Sequence, residues 1–243
     1  MSADLLLTLP AAAGYEHICM LQLNRPAYAN AYNTALLEAL LAALRQLKER
    51  PEVRALLICG AGERAFCAGA DRHELKERRF QDGIDLLSRT VFDQLAALPL
   101  PTVACINGAA MGGGLELALA CDARICSPHA VFALPELSLD LTPAAGGMRR
   151  LPALVGLGRA KEMILFQRRL DALEACNWGL VAHQGADYQS QALAWAARAA
   201  ALDPLALRLA KQLLDVDAVP MQREFEAFTQ ALLYERNFQR VNT

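Results

Sequence analysis

Short apolar runs alternate with leucine-periodic segments through the first half of this chain, and that alternation narrows the possible folds more than any other feature. His17–Leu23 (HICMLQL) reads as a strand that ends in Asn24-Arg25-Pro26. Thr34 is the expected N-cap of the next element. Beyond it, Leu36, Leu37, Leu40, Leu41, Leu44 and Leu47 recur at helical spacing. Ala55–Cys59 (ALLIC) is a buried strand closed by Gly60, and Asp85–Leu98 reads as a helix that stops before Pro99. Thr102–Ile106 (TVACI) is a strand, Leu115–Cys121 a helix and Ala123–Cys126 another strand. Strand, helix, strand, helix implies parallel βαβ units with helices covering a sheet.

The last third changes character. Ala160–Phe166, Ala172–Trp178, Gln189–Ala201, Leu205–Leu214 and Met221–Arg236 all read as helices, the last with Phe225, Phe228, Leu232 and Leu233 on one side. Their apolar stripes are read as core or subunit packing. Soft divisions fall at the charged segment Arg72–Phe80 and at the alanine- and leucine-rich text after Ala153. At 243 residues the chain is long enough to bury a core without disulfides or metals.

Composition removes several classes. With 54% hydrophobic and 21% charged residues the chain is globular, not disordered. A formal net charge of −2, with no basic cluster interleaved with aromatics, argues against a nucleic-acid partner. Seven cysteines form no Cys-x-x-Cys pair, so they read as buried thiols of a reducing compartment, not as a disulfide framework or a zinc site. His17, His73, His129 and His183 lack metal spacing, and no metal is expected; His73 alone follows a candidate site residue, Asp71. Met1–Ala13 is apolar but has no basic start and includes Asp4, unlike a signal peptide. With no apolar run of about 18 residues, no membrane partner and a cytoplasmic location are expected.

Three glycine-containing stretches fall where strands should turn: Ala65–Asp71 (AFCAGAD), Asn107–Glu116 (NGAAMGGGLE) and Pro143–Gly147 (PAAGG). Glycine allows backbone angles and close approaches that a Cβ forbids. Gly112-Gly113-Gly114 follows a strand and opens a helix, whose unpaired N–H groups can cradle a phosphate or stabilise an oxyanion. Counting Gly-x-Gly-x-x-Gly from Gly112 ends on Leu117, which disfavours a dinucleotide site, and no Gly-Lys-Ser/Thr follows for a P-loop. Glu116 has only apolar neighbours in GGGLELALA, and Glu136 sits in FALPE just before the third cluster. Carboxylates in such surroundings are hard to ionise, which lifts them toward the range useful for general acid/base work.

Taken in order, these stretches resemble the crotonase (enoyl-CoA hydratase/isomerase) superfamily. AFCAGAD resembles its first oxyanion-hole loop, and NGAAMGGGLELALACD (107–122) its second loop and helix. FALPELSLDLTPAAGGMRRLPALVG (132–156) resembles its third block, and LNRPAYANAYN (23–33) the loop at the adenine end of coenzyme A. The resemblance implies an α/β fold, a spiral of ββα units in residues 1–195, with a C-terminal helical trimerisation region in 196–243. It implies an oxyanion hole from the N–H groups of Ala70 and Gly113 and an acid/base pair of Glu116 and Glu136. Arg25, Ala27, Arg64, Ala68, Asp71, Leu134 and Gly146 would contact the acyl-CoA, and Arg72–Ser88 would form a mobile wall around its acyl group. Having both glutamates points to syn hydration of a 2-enoyl-CoA. The runner-up is Δ3,Δ2-enoyl-CoA isomerisation or another acyl-CoA reaction of the superfamily, and a third reading is a non-catalytic acyl-CoA-binding or interaction protein. No cofactor is implied, since coenzyme A belongs to the substrate, and a homotrimer or homohexamer is expected.

The sequence departs from the pattern in four places. Asp140 stands where glycine is commoner, Ala144 replaces the glycine after Pro143, and Met148-Arg149-Arg150 replaces Thr-Gln-Arg. The segment that follows the last helix in typical members, rich in Phe and Lys and covering the adenine, has no counterpart before Thr243.

Overall fold

The structure, a computed structural model, describes residues 3–214. The helix expected over Met221–Arg236 and the segment after it lie outside the described residues. Among the described residues ten strands form two sheets, and ten α-helices and two 3-10 turns pack around them. In chain order the first elements are β1 (Leu5–Thr8), β2 (Ile18–Leu23), α1 (Thr34–Lys48), β3 (Ala55–Gly60), β4 (Ala65–Cys67), α2 (Arg72–Glu77), α3 (Phe80–Ile84) and α4 (Leu87–Ala96). There follow β5 (Thr102–Ile106), β6 (Ala109–Met111), α5 (Gly113–Leu119), β7 (Ala123–Cys126), β8 (Val131–Ala133), α6 (Gly147–Val155) and α7 (Leu157–Leu165). The last are β9 (Leu170–Asp171), α8 (Ala172–Asn177), β10 (His183–Gln184), α9 (Tyr188–Ala200) and α10 (Pro204–Leu214). Helix α9 runs without a break across residues 195 and 196.

The larger sheet has the order β1-β2-β3-β5-β7-β10, and the smaller one β4-β6-β8-β9. Only the outer pairs β1/β2 and β8/β9 are antiparallel. Each turn of the chain lays one strand in the large sheet, the next in the small sheet, and then a helix: β3 and β4, β5 and β6, β7 and β8. This is the ββα spiral. The central strands β3 and β5 of the large sheet are buried on both faces, so they are almost wholly apolar rather than alternating. Along β3, Leu56 and Ile58 point into the main core with the α1 leucines, Phe66, Phe92 and Phe132. Ala55, Leu57 and Cys59 point the other way, onto Ala192 and Ala196 of α9.

The sequence reading finds β2, β3, β5 and β7 of the large sheet within a residue or so, but misses its edge strands β1 and β10 and the whole small sheet. Strands β4, β6 and β8 are three residues each. Such runs are too short to show a period. The cap of α1 is Asn33, not Thr34: the Asn33 side chain accepts from Leu36 N at 2.9 Å. The helix expected over Asp85–Leu98 begins two residues later, at Leu87. All seven cysteines are free thiols and six of them are buried.

Candidate active site

The first two glycine loops meet in space. The strand-like bridge between Tyr32 and Ala70 is held by Tyr32 N donating to Gly69 O and Asp71 N donating to Tyr32 O, each at 2.8 Å. Neither bond uses the Ala70 N–H. Gly69 has φ +92°, and a Cβ there would lie 2.9 Å from Met111 O and 3.2 Å from Gly113 N. Glycine is therefore required at 69 both for its backbone angle and for this approach. Gly113 is the first residue of α5, so its N–H has no acceptor within the helix. The Gly69-Ala70 step and the start of α5, from different turns of the spiral, thus lie close together.

Glu116 projects from the first turn of α5 and is 3% exposed. Its Oε1 accepts from Ala145 N and Gly147 N, both at 2.8 Å. The third glycine cluster is therefore a clamp on the Glu116 carboxylate. Burial raises the Glu116 pKa, and the N–H groups of Gly147 and Ala145, with the Arg150 cation, act against that rise. Arg150 braces the clamp from outside: its guanidinium donates to Ala145 O at 3.2 Å and pairs with Asp93 of α4.

Glu136 opens a 3-10 turn, Glu136–Leu139, after β8 and the Leu134-Pro135 step. Its two carboxylate oxygens are buried and have no hydrogen-bond partner among the described residues. A buried polar atom without a partner is costly, and such an atom in a folded protein asks for an explanation. Burial, reinforced by the negative charge of Glu116, pushes Glu136 up to about 7. A Cβ at Gly112 would lie 3.0 Å from Glu136 Oε1, so this carboxylate stands over the start of α5. The loops carrying Ala70, Gly113, Glu116 and Glu136 thus converge on one region.

The remaining sequence-predicted residues are scattered around it. Arg25 is not a free cation: it pairs with Asp71 at 3.1 Å and Asp4 at 3.5 Å, donates to Ala31 O at 2.7 Å, and covers the Tyr28 ring. It braces the 25–32 loop against the loop that carries Asp71. Asp71, 8% exposed, also caps α2 through His73 N. Its pKa is held down by the His73 N–H and by Arg25. Ala27, Arg64 and Ala68 are exposed, and Leu134 is buried. Gly146 has φ +115° and is packed against the Arg150 guanidinium. Asp140 is exposed with φ +57°, a left-handed angle that aspartate tolerates better than most residues. Sequence reading missed Tyr32, the Ala145 and Gly147 N–H donors and the Asp93–Arg150 pair. The PAAGG stretch was the available signal for the clamp, but nothing local says which side chain it grips. Among the described residues no three His, Cys, Asp or Glu side chains form a metal cage, and no helix is long and apolar enough to cross a membrane.

Two sheets wound in ββα turns, with converging glycine loops, a buried Glu116 and a half-buried Glu136 whose carboxylate oxygens are enclosed, define a member of the crotonase superfamily. Residues 13–240 match the enoyl-CoA hydratase/isomerase family, and the chain belongs to it. YngF of Bacillus subtilis is 46% identical over 201 residues, covering 81% of this chain and 77% of that protein. The short-chain-enoyl-CoA hydratase of Clostridium acetobutylicum is 36% identical over 221 residues, covering 87% and 84%. Among solved structures, an enoyl-CoA hydratase from Bacillus anthracis superposes with a TM-score of 0.87 at 37% identity, covering 94% of this chain and 90% of that one.

Proposed function

We propose that this protein is an enoyl-CoA hydratase that adds water syn across the 2,3 double bond of a 2-enoyl-CoA. The observation that carries the reading is the unlike environment of two neighbouring carboxylates. Glu116 is gripped by two N–H donors and an adjacent cation, which favour its ionised form. Glu136 has no partner and is pushed up to about 7, which favours its protonated form near neutrality. Burial raises both, but only Glu116 has neighbouring N–H donors and a cation that act against the rise, and paired carboxylates in unlike surroundings divide into a base and an acid. In this reading Glu116 takes a proton from a water held between the two, and the hydroxide oxygen bonds to C3. The π electrons move toward the thioester, whose oxygen becomes enolate-like and is held by the N–H groups of Ala70 and Gly113. Glu136 then delivers a proton to C2, and the thioester carbonyl reforms. Because the carboxylates interact, they titrate as a pair.

Arg25, Ala27, Arg64, Ala68, Asp71, Leu134 and Gly146 are the proposed surroundings of the acyl-CoA. Within that set Arg25 and Asp71 act by holding the loop. Assembly as a trimer or a dimer of trimers, with residues 196–243 taking part, belongs to the same proposal, as does a cytoplasmic location. Isomerisation is the second reading, favoured by the unpartnered Glu136 carboxylate, since a single base can carry a proton between two carbons. Loss of the enone absorbance of crotonyl-CoA tests the proposal. No turnover over several enoyl-CoA chain lengths, alongside measurable CoA binding, would overturn the enzyme reading and leave a binding protein of this fold.

A further inference from the structure

Tyr32 touches both loops that supply the adjacent N–H groups. Its backbone brackets Ala70 through the Tyr32 N to Gly69 O and Asp71 N to Tyr32 O bonds, each 2.8 Å. Its side chain reaches the other loop. The ring meets Phe92 of α4 edge-on, with centroids 5.7 Å apart, and the hydroxyl lies against Gly113, where a Cβ would overlap the phenol oxygen. Tyr32 is 5% exposed, and its hydroxyl meets Ser88 of α4, itself 2% exposed. A rigid aromatic side chain is thus wedged between a β-bridge on one side and a helix start on the other.

We propose that Tyr32 is a positioning residue that sets the separation of the Ala70 and Gly113 N–H groups, an inference that rests on the assignment of those groups to the thioester oxygen. The physical demand is strict. Both donors must lie about 2.7–3.1 Å from the position of the developing oxyanion. They stand on separate turns of the spiral, three and two residues past the paired strands β4 and β6, so that pairing brings them near each other without setting their final separation. The Tyr32 main chain fixes one donor, and its phenol limits how close Gly113 can come. A phenylalanine at this position would keep the ring and the contact with Phe92 but leave room for Gly113 to settle by a fraction of an ångström. A leucine would leave a larger gap. Misplacement by about 1 Å costs on the order of 10²-fold in rate.

The test compares the wild-type enzyme with Tyr32→Phe and Tyr32→Leu. Turnover of crotonyl-CoA is measured together with the absorption red shift of an aryl-conjugated enoyl-CoA on binding, which reports polarisation of the thioester carbonyl. Thermal unfolding is recorded in parallel. Tyr32→Phe is expected to lower kcat by about 3–10-fold with KM within about twofold, to shrink the red shift, and to leave the melting temperature nearly unchanged. Tyr32→Leu is expected to approach 10²-fold. If Tyr32→Phe keeps both kcat and the red shift, the proposal is wrong. A loss of activity that follows melting temperature while the red shift stays intact also overturns it, because the role is then structural. Should Tyr32→Leu not fold, Tyr32→Phe alone decides. A wild-type enzyme with neither turnover nor red shift would instead sink the thioester assignment on which the inference stands.

Discussion

Replacing Glu116 by glutamine separates what this carboxylate does for the fold from what it does for the reaction. Its Oε1 accepts two N–H bonds of 2.8 Å from Ala145 and Gly147 in a buried setting. A glutamine amide can present its carbonyl oxygen to the same two donors, so the clamp survives. Two charge-assisted bonds become neutral ones and weaken. Against that, a carboxyl group whose ionisation burial opposes is replaced by one that cannot ionise. The two changes oppose each other, and stability should move by about 1 kcal/mol or less. The rate should not survive. A missing general base costs about 10²–10⁴-fold, equal to about 3–5 kcal/mol of barrier. Glu116→Ala is the contrasting variant. It strands two buried N–H groups at about 1–3 kcal/mol each, so about 2–6 kcal/mol of stability should go with the activity. The assay is the fall in enone absorbance of crotonyl-CoA, with denaturant unfolding run on the same samples. Near wild-type hydration by folded Glu116→Gln would refute the water-activating role. Isomerase activity that outlived hydration in that variant would favour the second reading.

Glu136 holds its proton up to about 7 in the folded protein against an ordinary value of 4.5, so the stability it contributes is whole below pH 4.5, declines from there to about 7 and is gone above. Glu136→Gln cannot ionise and should therefore be the more stable protein at pH 8, by about 1–3 kcal/mol, while matching wild type near pH 4; equal melting temperatures at pH 8 would contradict this. The same group should give wild-type kcat/KM an alkaline limb near pH 7, absent if the proton on Glu136 plays no part. Removing the cation in Arg150→Ala should lower kcat by roughly tenfold, and it should move the acid limb to higher pH, because Arg150 holds the Glu116 pKa down; an unmoved limb would limit Arg150 to packing. Gly114→Ala should yield little folded protein, because its Cβ would collide with the Cys67 carbonyl; circular dichroism of the purified variant checks it.

Strands β2, β3, β5 and β7 of the large sheet were legible because each is a mostly apolar run, and α1 because its leucines hold a helical period through Leu47. The small sheet was not, since the pairing of β4, β6 and β8 is decided by which strands the spiral stacks, not by their own residues. The glycine loops were visible as text, and so were Glu116 and Glu136. What each loop touches was not. Nothing near PAAGG announces that its N–H groups grip a side chain 29 residues earlier. Arg25 shows another limit of the text: the sequence places an arginine beside a proline, and only the fold shows Asp4, Asp71 and the Ala31 carbonyl around it. Tyr32 drew no notice because its backbone and side chain act on different loops, a property no linear pattern records.

The bond between Glu116 and the Ala145–Gly147 loop joins the second turn of the spiral to the third, and the Tyr32–Ala70 bridge joins the opening segment to the first. A thioester lying across these loops would be a clasp on chain segments far apart in sequence. Its affinity would then be written directly into resistance to unfolding. A ligand that binds only the assembled form at a hundred times its dissociation constant adds about 2.7 kcal/mol. Melting temperature in the presence of acyl-CoA analogues becomes a ranking of acyl groups that needs no turnover, and an emerging chain would have nothing to hold until its third glycine loop had been made.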